Sequence, residues 1–444
     1  MSRKTILFIS VNDRCYASYR FFAARLAEAV EKKGVQADWC YLPEGSGKDM
    51  ESWNRVLQEV LGKTYLAVVD FNSFLPKLQA DGKNMIDLFE APFYHIVLDH
   101  PLYHHAALSA ETDLQRIICV DERHAAYVQA NYPRIKEVWT HTIPGTKGAL
   151  ADTPFQERKH EILFCGTYED PQQYWELMKE LPVGLKKECR LLAEQMLAFP
   201  ERTMEELLAG LSGSVDLELA RKQGIASLET VLRRENVPVE SPQKRKDAFG
   251  EPAGGQGEVP AKSIRTGGGA TRFAARMQAN FLADAYVRNL RRKQVVEAMV
   301  KEKLPLALYG QGWEALGAKA EGRLSYENYV NQIGAYRFAL HCMPGFVCGG
   351  HDRIGNAMSN GAVCISDRTQ YTRSRYEQGE AIYIGYETGQ PDSLTEQCGY
   401  YLSHAEEAEA IADAGRRFAE GHGTWEQFAE KLVAHAEGEV LEGH

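Results

Sequence analysis

Pro344-Gly345-Phe346-Val347-Cys348-Gly349-Gly350-His351-Asp352-Arg353, continued by Ile354-Gly355-Asn356-Ala357-Met358-Ser359-Asn360-Gly361 and then Ala362-Val363-Cys364-Ile365-Ser366-Asp367, is the stretch on which the reading of this chain turns. A glycine-rich loop feeds a short helix, Gly361 ends it, and the apolar run that follows is a buried strand. Free backbone N–H groups and Arg353 meet at the helix start, which is a seat for a diphosphate. His351 and Asp352 precede the helix, and Asp352 is the expected N-cap. Asn356 lies about one turn beyond Arg353 on the same face. Its amide suits a ribose hydroxyl or a base edge, and equally a partly buried polar position within the helix.

Moving outward, Ala339–Met343 and Leu304–Tyr309 read as strands, the second ending in Gly310-Gln311-Gly312-Trp313. Two glycines there permit close backbone approach to a ligand, with Trp313 either lining a pocket or plugging the core. Glu161–Cys165 is a further strand closing on Gly166-Thr167-Tyr168. The first half alternates in the same way: Ile6–Ile9, Leu66–Val69, Ile96–Leu98 and Ile117–Val120 are short apolar runs, and Tyr19–Lys33 has helical spacing with Phe22, Leu26 and Val30 on one face. Such alternation predicts an α/β protein with parallel, doubly wound sheets. Ligands of these sheets bind beyond the carboxyl ends of the strands, so polar residues there are the candidates. Asp13, after the first strand, suits a general base and equally an N-cap or turn position; Asp99 and His100, at the end of another strand, are the next candidates. His104 and His105 are adjacent and share no helix face, and no Asp-x-Asp pair stands at a strand end, so no metal site is expected.

The chain has 444 residues, 44% hydrophobic and 25% charged, with a formal net charge of −10. Its length suits two domains, and its acidity argues against nucleic acid as a partner. No run of ~18 apolar residues suggests a membrane span. Met1-Ser2-Arg3-Lys4 leads directly into the first strand without an apolar signal core, and nine scattered cysteines, several inside apolar strands (Cys119, Cys165, Cys364), read as reduced. A cytoplasmic location follows as an expectation. Residues 1–150 form the first Rossmann-like unit, residues 158–403 the second, and residues 404–444 a helical tail. Within the second unit, about 172–301 is a largely helical insertion, and its stretch 238–269, with four prolines and seven glycines, reads as a flexible loop.

In the second half these motifs together resemble the GT-B-fold glycosyltransferases, most of all the group-1-like (CgeB-like) branch. The resemblance rests on Gly166-Thr167-Tyr168, Tyr309 through Trp313, and Arg353 through Asp367. It implies a first domain that binds the acceptor and a second that binds a nucleotide diphosphate-sugar, with Gly166, Thr167, Gly310, Gln311, Gly312, Trp313, His351, Arg353 and Asn356 around the donor. It also implies transfer to a cell-surface glycan or protein without metal or other cofactor. Two positions depart from the family pattern. Asn356 stands where the family carries a ribose-holding Glu, and Glu169-Asp170 follow Gly166 where related enzymes carry Arg or Lys. A non-catalytic carbohydrate- or nucleotide-binding scaffold of the same fold and a GT-B-type sugar-nucleotide isomerase are therefore the alternatives.

Overall fold

A computed structural model describes residues 4–11, 17–43, 50–80, 82–211, 276–277, 280–342 and 345–438. Asp13, the stretch 238–269 and the helical reading of 212–236 lie outside the described residues. The α/β architecture is present as two parallel sheets. The first contains β1 (Thr5–Val11), β2 (Gln36–Leu42), β3 (Ala67–Phe71), β4 (Phe93–Val97), β5 (Gln115–Cys119) and β6 (Val138–Thr140), in the spatial order β2-β1-β3-β4-β5-β6. The second contains β7 (His160–Cys165), β8 (Leu306–Tyr309), β9 (Tyr336–His341), β10 (Val363–Asp367) and β11 (Ile384–Tyr386), in the order β8-β7-β9-β10-β11. Both orders reverse direction next to their first strand. The crevice at that reversal, beyond the strand carboxyl ends, is where doubly wound sheets hold ligands. β3, β4 and β10 are buried along their whole length, as expected of strands covered on both faces.

One continuous core spans both lobes. Ile6 and Phe8 of the first sheet and Leu163, Ala339 and Cys364 of the second belong to it. They are joined through Phe22 of α1 (Ser18–Lys32) and Tyr326 of α8 (Tyr326–Gln332). The tail completes it. Helix α12 (Ala405–Gly421) lies against the second sheet, and α13 (Trp425–Ala436) crosses back onto α1, burying Phe428, Ala429 and Leu432. Each fully buried large apolar side chain stabilises the fold by roughly 1.5–3 kcal/mol. Exposed pairs, Lys32–Glu426 at 2.6 Å and Lys33–Glu430 at 2.5 Å, decorate the crossing and add little.

The insertion, placed within the second unit by sequence order, packs into the first. Helices α4 (Pro171–Lys179), α5 (Val183–Ala198) and α6 (Met204–Leu211) share a core with Val97, Ile117 and Cys119 of β4 and β5 and with α3 (Glu122–Asn131). Helix α7 (Phe281–Lys301) leads back to the second sheet.

The link between the lobes is held by asparagines and glycines. Helix α9 (Asp352–Ser359) carries Asn356, whose Oδ1 accepts from the Thr146 N–H at 2.9 Å. Asn360 accepts from the Gly148 N–H at 2.7 Å and donates to the Thr146 carbonyl at 2.8 Å. A Cβ on Gly145 would lie 2.2 Å from the Gly355 carbonyl oxygen, so the linker seats directly on the helix backbone.

Candidate active site

A cavity of about 310 Å³ opens between the two lobes at the strand carboxyl ends. From the second lobe Gly166, Thr167, Gly310, Gly350, His351 and Arg353 line it; from the first, Tyr19, Phe22, Asn72 and Asp99 do. The fold thus brings five of the nine expected donor residues to the same space as one of the expected bases.

Arg353 is anchored from two sides. Its Nη1 donates to the Cys165 carbonyl at the end of β7, and its guanidinium carbon lies 5.6 Å from the centre of the Tyr329 ring. The strand end, the helix start and the guanidinium therefore hold a fixed relation. The N-cap of α9 is His351, not Asp352. His351 has extended backbone, and its Nδ1 lies 3.3 Å from the Arg353 N–H and 2.7 Å from Asp352 Oδ1. Asp352 is the first helical residue and is buried, accepting from the Tyr326 hydroxyl. Burial works against its charge, but His351, Arg353 and Tyr326 hold its carboxyl below the usual range.

Asn356 does not face the cavity. It is 1% exposed and its amide is consumed by Thr146, by the Tyr326 hydroxyl at 2.6 Å and by Asp352 Oδ2 at 3.4 Å. The expected ribose contact is replaced by a latch between the lobes. Trp313 is likewise a core plug. It is fully buried against Phe164 and Tyr168 and donates from Nε1 to the Gly166 carbonyl at 2.7 Å. Gly310 and Gly312 serve the approach of one loop to another. A Cβ on Gly310 would sit 1.7 Å from the Gly166 carbonyl oxygen, and one on Gly312 2.4 Å from that of Tyr168. Gln311 accepts from the Tyr168 N–H at 2.8 Å through its carbonyl. Gln311, Gly312 and Trp313 shape the loop behind the cavity wall, and only Gly310 reaches it.

On the first-lobe side Asn72, the residue after β3, has φ 44°, a left-handed conformation that asparagine tolerates. Its amide donates to Asp99 Oδ2 and to the Tyr19 hydroxyl, each at 2.8 Å, and its Oδ1 accepts from the Leu98 N–H at 2.8 Å. Asp99 is fixed by this bond yet its side chain is 47% exposed toward the opening. His104 Nε2 lies 4.0 Å away; burial pushes its imidazole down to about 4, so it is neutral beside the carboxylate at neutral pH. His100, the other candidate, turns away. Its Nδ1 accepts from the Leu102 N–H at 3.1 Å and its Nε2 meets Glu205 of the insertion at 2.9 Å. Burial alone would raise the Glu205 carboxyl, but His100 outweighs it and brings it down to about 2. His100 therefore docks the inserted helices and does not touch the cavity.

The double glycine also acts across the lobes. Asp121 caps α3 through the Arg123 N–H at 2.7 Å and accepts from the Cys348 N–H at 2.8 Å; a Cβ on Gly349 would lie 2.4 Å from the Val120 carbonyl oxygen. Asn72 belongs to the polar strand end Asp70-Phe71-Asn72 that the sequence points to, without a motif that singles it out. Three other contributors escape the sequence reading. Tyr326 and Tyr329, three apart on α8, show a pattern that reads as ordinary core. Arg292 of α7 lines the cavity but belongs to the basic run Arg291-Arg292-Lys293, which reads as a solvated helix face. Among the described residues no group of three or more His, Cys, Asp or Glu comes together as a metal-ligand set, and no helix is long and apolar enough to cross a membrane.

Residues 291–434 match a family model described as glycosyl transferase-like. No curated protein matches the chain. Among solved structures, sucrose-phosphate synthase from Thermosynechococcus elongatus aligns at 12% identity and a TM-score of 0.47, over 98% of this chain and 99% of that one. Anabaena HepE in complex with UDP-glucose aligns at 8% identity and a TM-score of 0.49, over 98% and 100%. A glycosyltransferase from Rickettsia africae aligns at 9% identity and a TM-score of 0.45, over 100% of both chains. The segment that carries Arg353, the N-terminus of α9 and Gly310 is thus glycosyl transferase-like in sequence.

Proposed function

We propose that the protein is a glycosyltransferase that moves a sugar from a nucleotide diphosphate-sugar onto an acceptor hydroxyl within the cavity between its lobes. One observation carries the reading. Arg353, the start of α9 and the Gly166-Thr167 strand end converge on one wall, and a fixed, solvent-accessible carboxylate, Asp99, stands on the other. A diphosphate placed against the first wall receives charge-assisted bonds from the guanidinium and the helix N-terminus.

As the bond between the anomeric carbon and the phosphate oxygen breaks, negative charge grows on the departing diphosphate. Groups already fixed around it stabilise that state more than the bound donor. The acceptor oxygen forms the new bond to the anomeric carbon, and its proton passes to Asp99. An inverted anomeric product accords with this role; a retained one transfers the proton without Asp99. With arginine and backbone N–H groups neutralising the diphosphate, the reaction proceeds without a metal or other cofactor. A cell-surface glycan or a surface protein is the proposed acceptor, and the cytoplasm, where nucleotide-sugars are held, the proposed location.

A non-catalytic nucleotide-sugar scaffold is the second reading. It is motivated by Asn356, whose amide is spent on the latch and offers nothing to a ribose. Incubation with UDP-, GDP- and ADP-sugars, with nucleotide release measured with and without glycan acceptors, separates the readings. Release of one nucleotide supports transfer, tight binding without turnover supports the scaffold, and epimerised sugar would point to an isomerase.

A further inference from the structure

Helix α7, 21 residues long, spans about 31 Å at the usual rise per residue and belongs to both lobes. Leu282, Ala283, Ala285 and Val287 pack into the core shared with the first sheet, whereas Val295, Val296 and Met299 pack into that of the second. The turn between them, residues 288–292, runs beside the cavity, and its three arginines have different surroundings. Arg288 donates to the Tyr103 hydroxyl at 3.2 Å and lies 3.6 Å from Asp284. Arg291 donates to the Met196 carbonyl at 2.6 Å. Arg292 lines the cavity, partly buried, and has no hydrogen bond or ion pair among the described residues.

A guanidinium withdrawn from bulk water without an anion is unfavourable. It stands beside a second one, Arg353, in a cavity whose two carboxylates are already hydrogen-bonded, Asp99 to Asn72 and Asp352 to Tyr326. We infer that Arg292 is a diphosphate-binding residue. The inserted segment supplies it to grip the leaving group together with Arg353, in place of the basic side chain missing after Gly166. The inference rests on the donor reading above and adds to it the source of the second positive charge. Burial first, and then the charges of Arg288 and Arg353, outweigh the opposing but weaker influence of Glu169 and draw its guanidinium down to about 10. It is still protonated at neutral pH, and the mutual repulsion is relieved by an anion of two or more charges bound between the pair.

Isothermal titration of the full-length protein with UDP, GDP and ADP, with the corresponding monophosphates and with inorganic pyrophosphate tests this. For whichever nucleoside diphosphate the wild type binds, Arg292→Gln should weaken binding about 10- to 100-fold, with the monophosphate affected less. Arg291→Gln should leave both affinities as they are. Equal affinity of wild type and Arg292→Gln for the diphosphate overturns the assignment, and so does an equal loss for mono- and diphosphate. Should Arg292→Gln fail to fold, Arg292→Lys carries the test. It keeps the stem and the charge but not the planar fork, so a several-fold loss is expected and unchanged affinity overturns the proposal. A wild type that binds none of the nucleoside diphosphates brings down the donor reading itself. That outcome is distinct from a wild type that binds one and an Arg292 variant that binds it equally well.

Discussion

The two lobes repeat one strand order, β2-β1-β3-β4 in the first and β8-β7-β9-β10 in the second, and both turn their carboxyl ends to the same cavity. The walls they present nevertheless differ in chemistry. The second lobe offers the Arg353 guanidinium, a helix start and closely packed glycine loops, joined by Arg292 from the inserted helix. The first offers aromatic rings and a single carboxylate held by Asn72. A shared topology therefore fixes where a ligand sits, and the side chains at the strand ends decide what each half does to it. In the proposed reaction the second lobe would bind the donor and stabilise its charge, and the first lobe would take the proton.

The sharpest way to break the comparison is to remove the only first-lobe carboxylate among the described cavity residues. Asp99→Asn retains the shape and an acceptor for Asn72 but cannot take a proton. Turnover is expected to fall about 10²- to 10⁴-fold with nucleotide affinity unchanged, measured as product formation against donor titration. A loss of affinity with unchanged turnover would move Asp99 to the binding side. A second variant tests the architecture of the opposite wall. Gly310→Ala forces a side chain onto backbone with φ 128°, with its Cβ 1.7 Å from the Gly166 carbonyl oxygen. Strain and overpacking together should cost about 2–5 kcal/mol, seen as a lowered thermal midpoint; a stability equal to wild type would mean that the two strand-end loops are not packed as described. Arg353→Ala should then cost about 1.5–3 kcal/mol of nucleoside diphosphate affinity, read by titration, while leaving the fold intact.

How much of this was legible in the sequence follows from the range of each interaction. Strands and helices announce themselves because their apolar periods are local, and the Arg353 loop is legible because glycines, guanidinium and helix start are neighbours in the chain. The role of Asn356 is not local. Its partner Thr146 is more than two hundred positions away, and only the folded linker turns a plausible ribose ligand into a latch. Trp313 looks the same beside a pocket or in a core until Gly166 is seen accepting its N–H. Arg292 is hidden for the opposite reason. Basic residues crowd its helix, and nothing in their spacing says which one lacks a partner. The packing of the insertion on the first lobe is invisible too, since sequence order places it within the second.

Two smaller effects sharpen the division of labour at the boundary between the lobes. Asn356→Ala removes the acceptor of the Thr146 N–H and leaves the Tyr326 hydroxyl without its amide donor. A buried donor left unsatisfied costs about 1–3 kcal/mol, so the thermal midpoint should drop while the preference among UDP, GDP and ADP stays as in wild type. A changed preference would return Asn356 to the donor site.

His100→Gln is expected to have the smallest effect on turnover, because direct neighbours in the chain have opposite surroundings. Asp99 faces the cavity, whereas His100 is committed to Leu102 and Glu205. Glutamine can still donate to Glu205, so the insertion stays docked and turnover should remain within about threefold of wild type, well short of the effect of losing a general base. A fall comparable to that of Asp99→Asn would show that the imidazole reaches the reacting groups. The proton would then be handled by the pair, and the first lobe's wall would extend beneath the inserted helices.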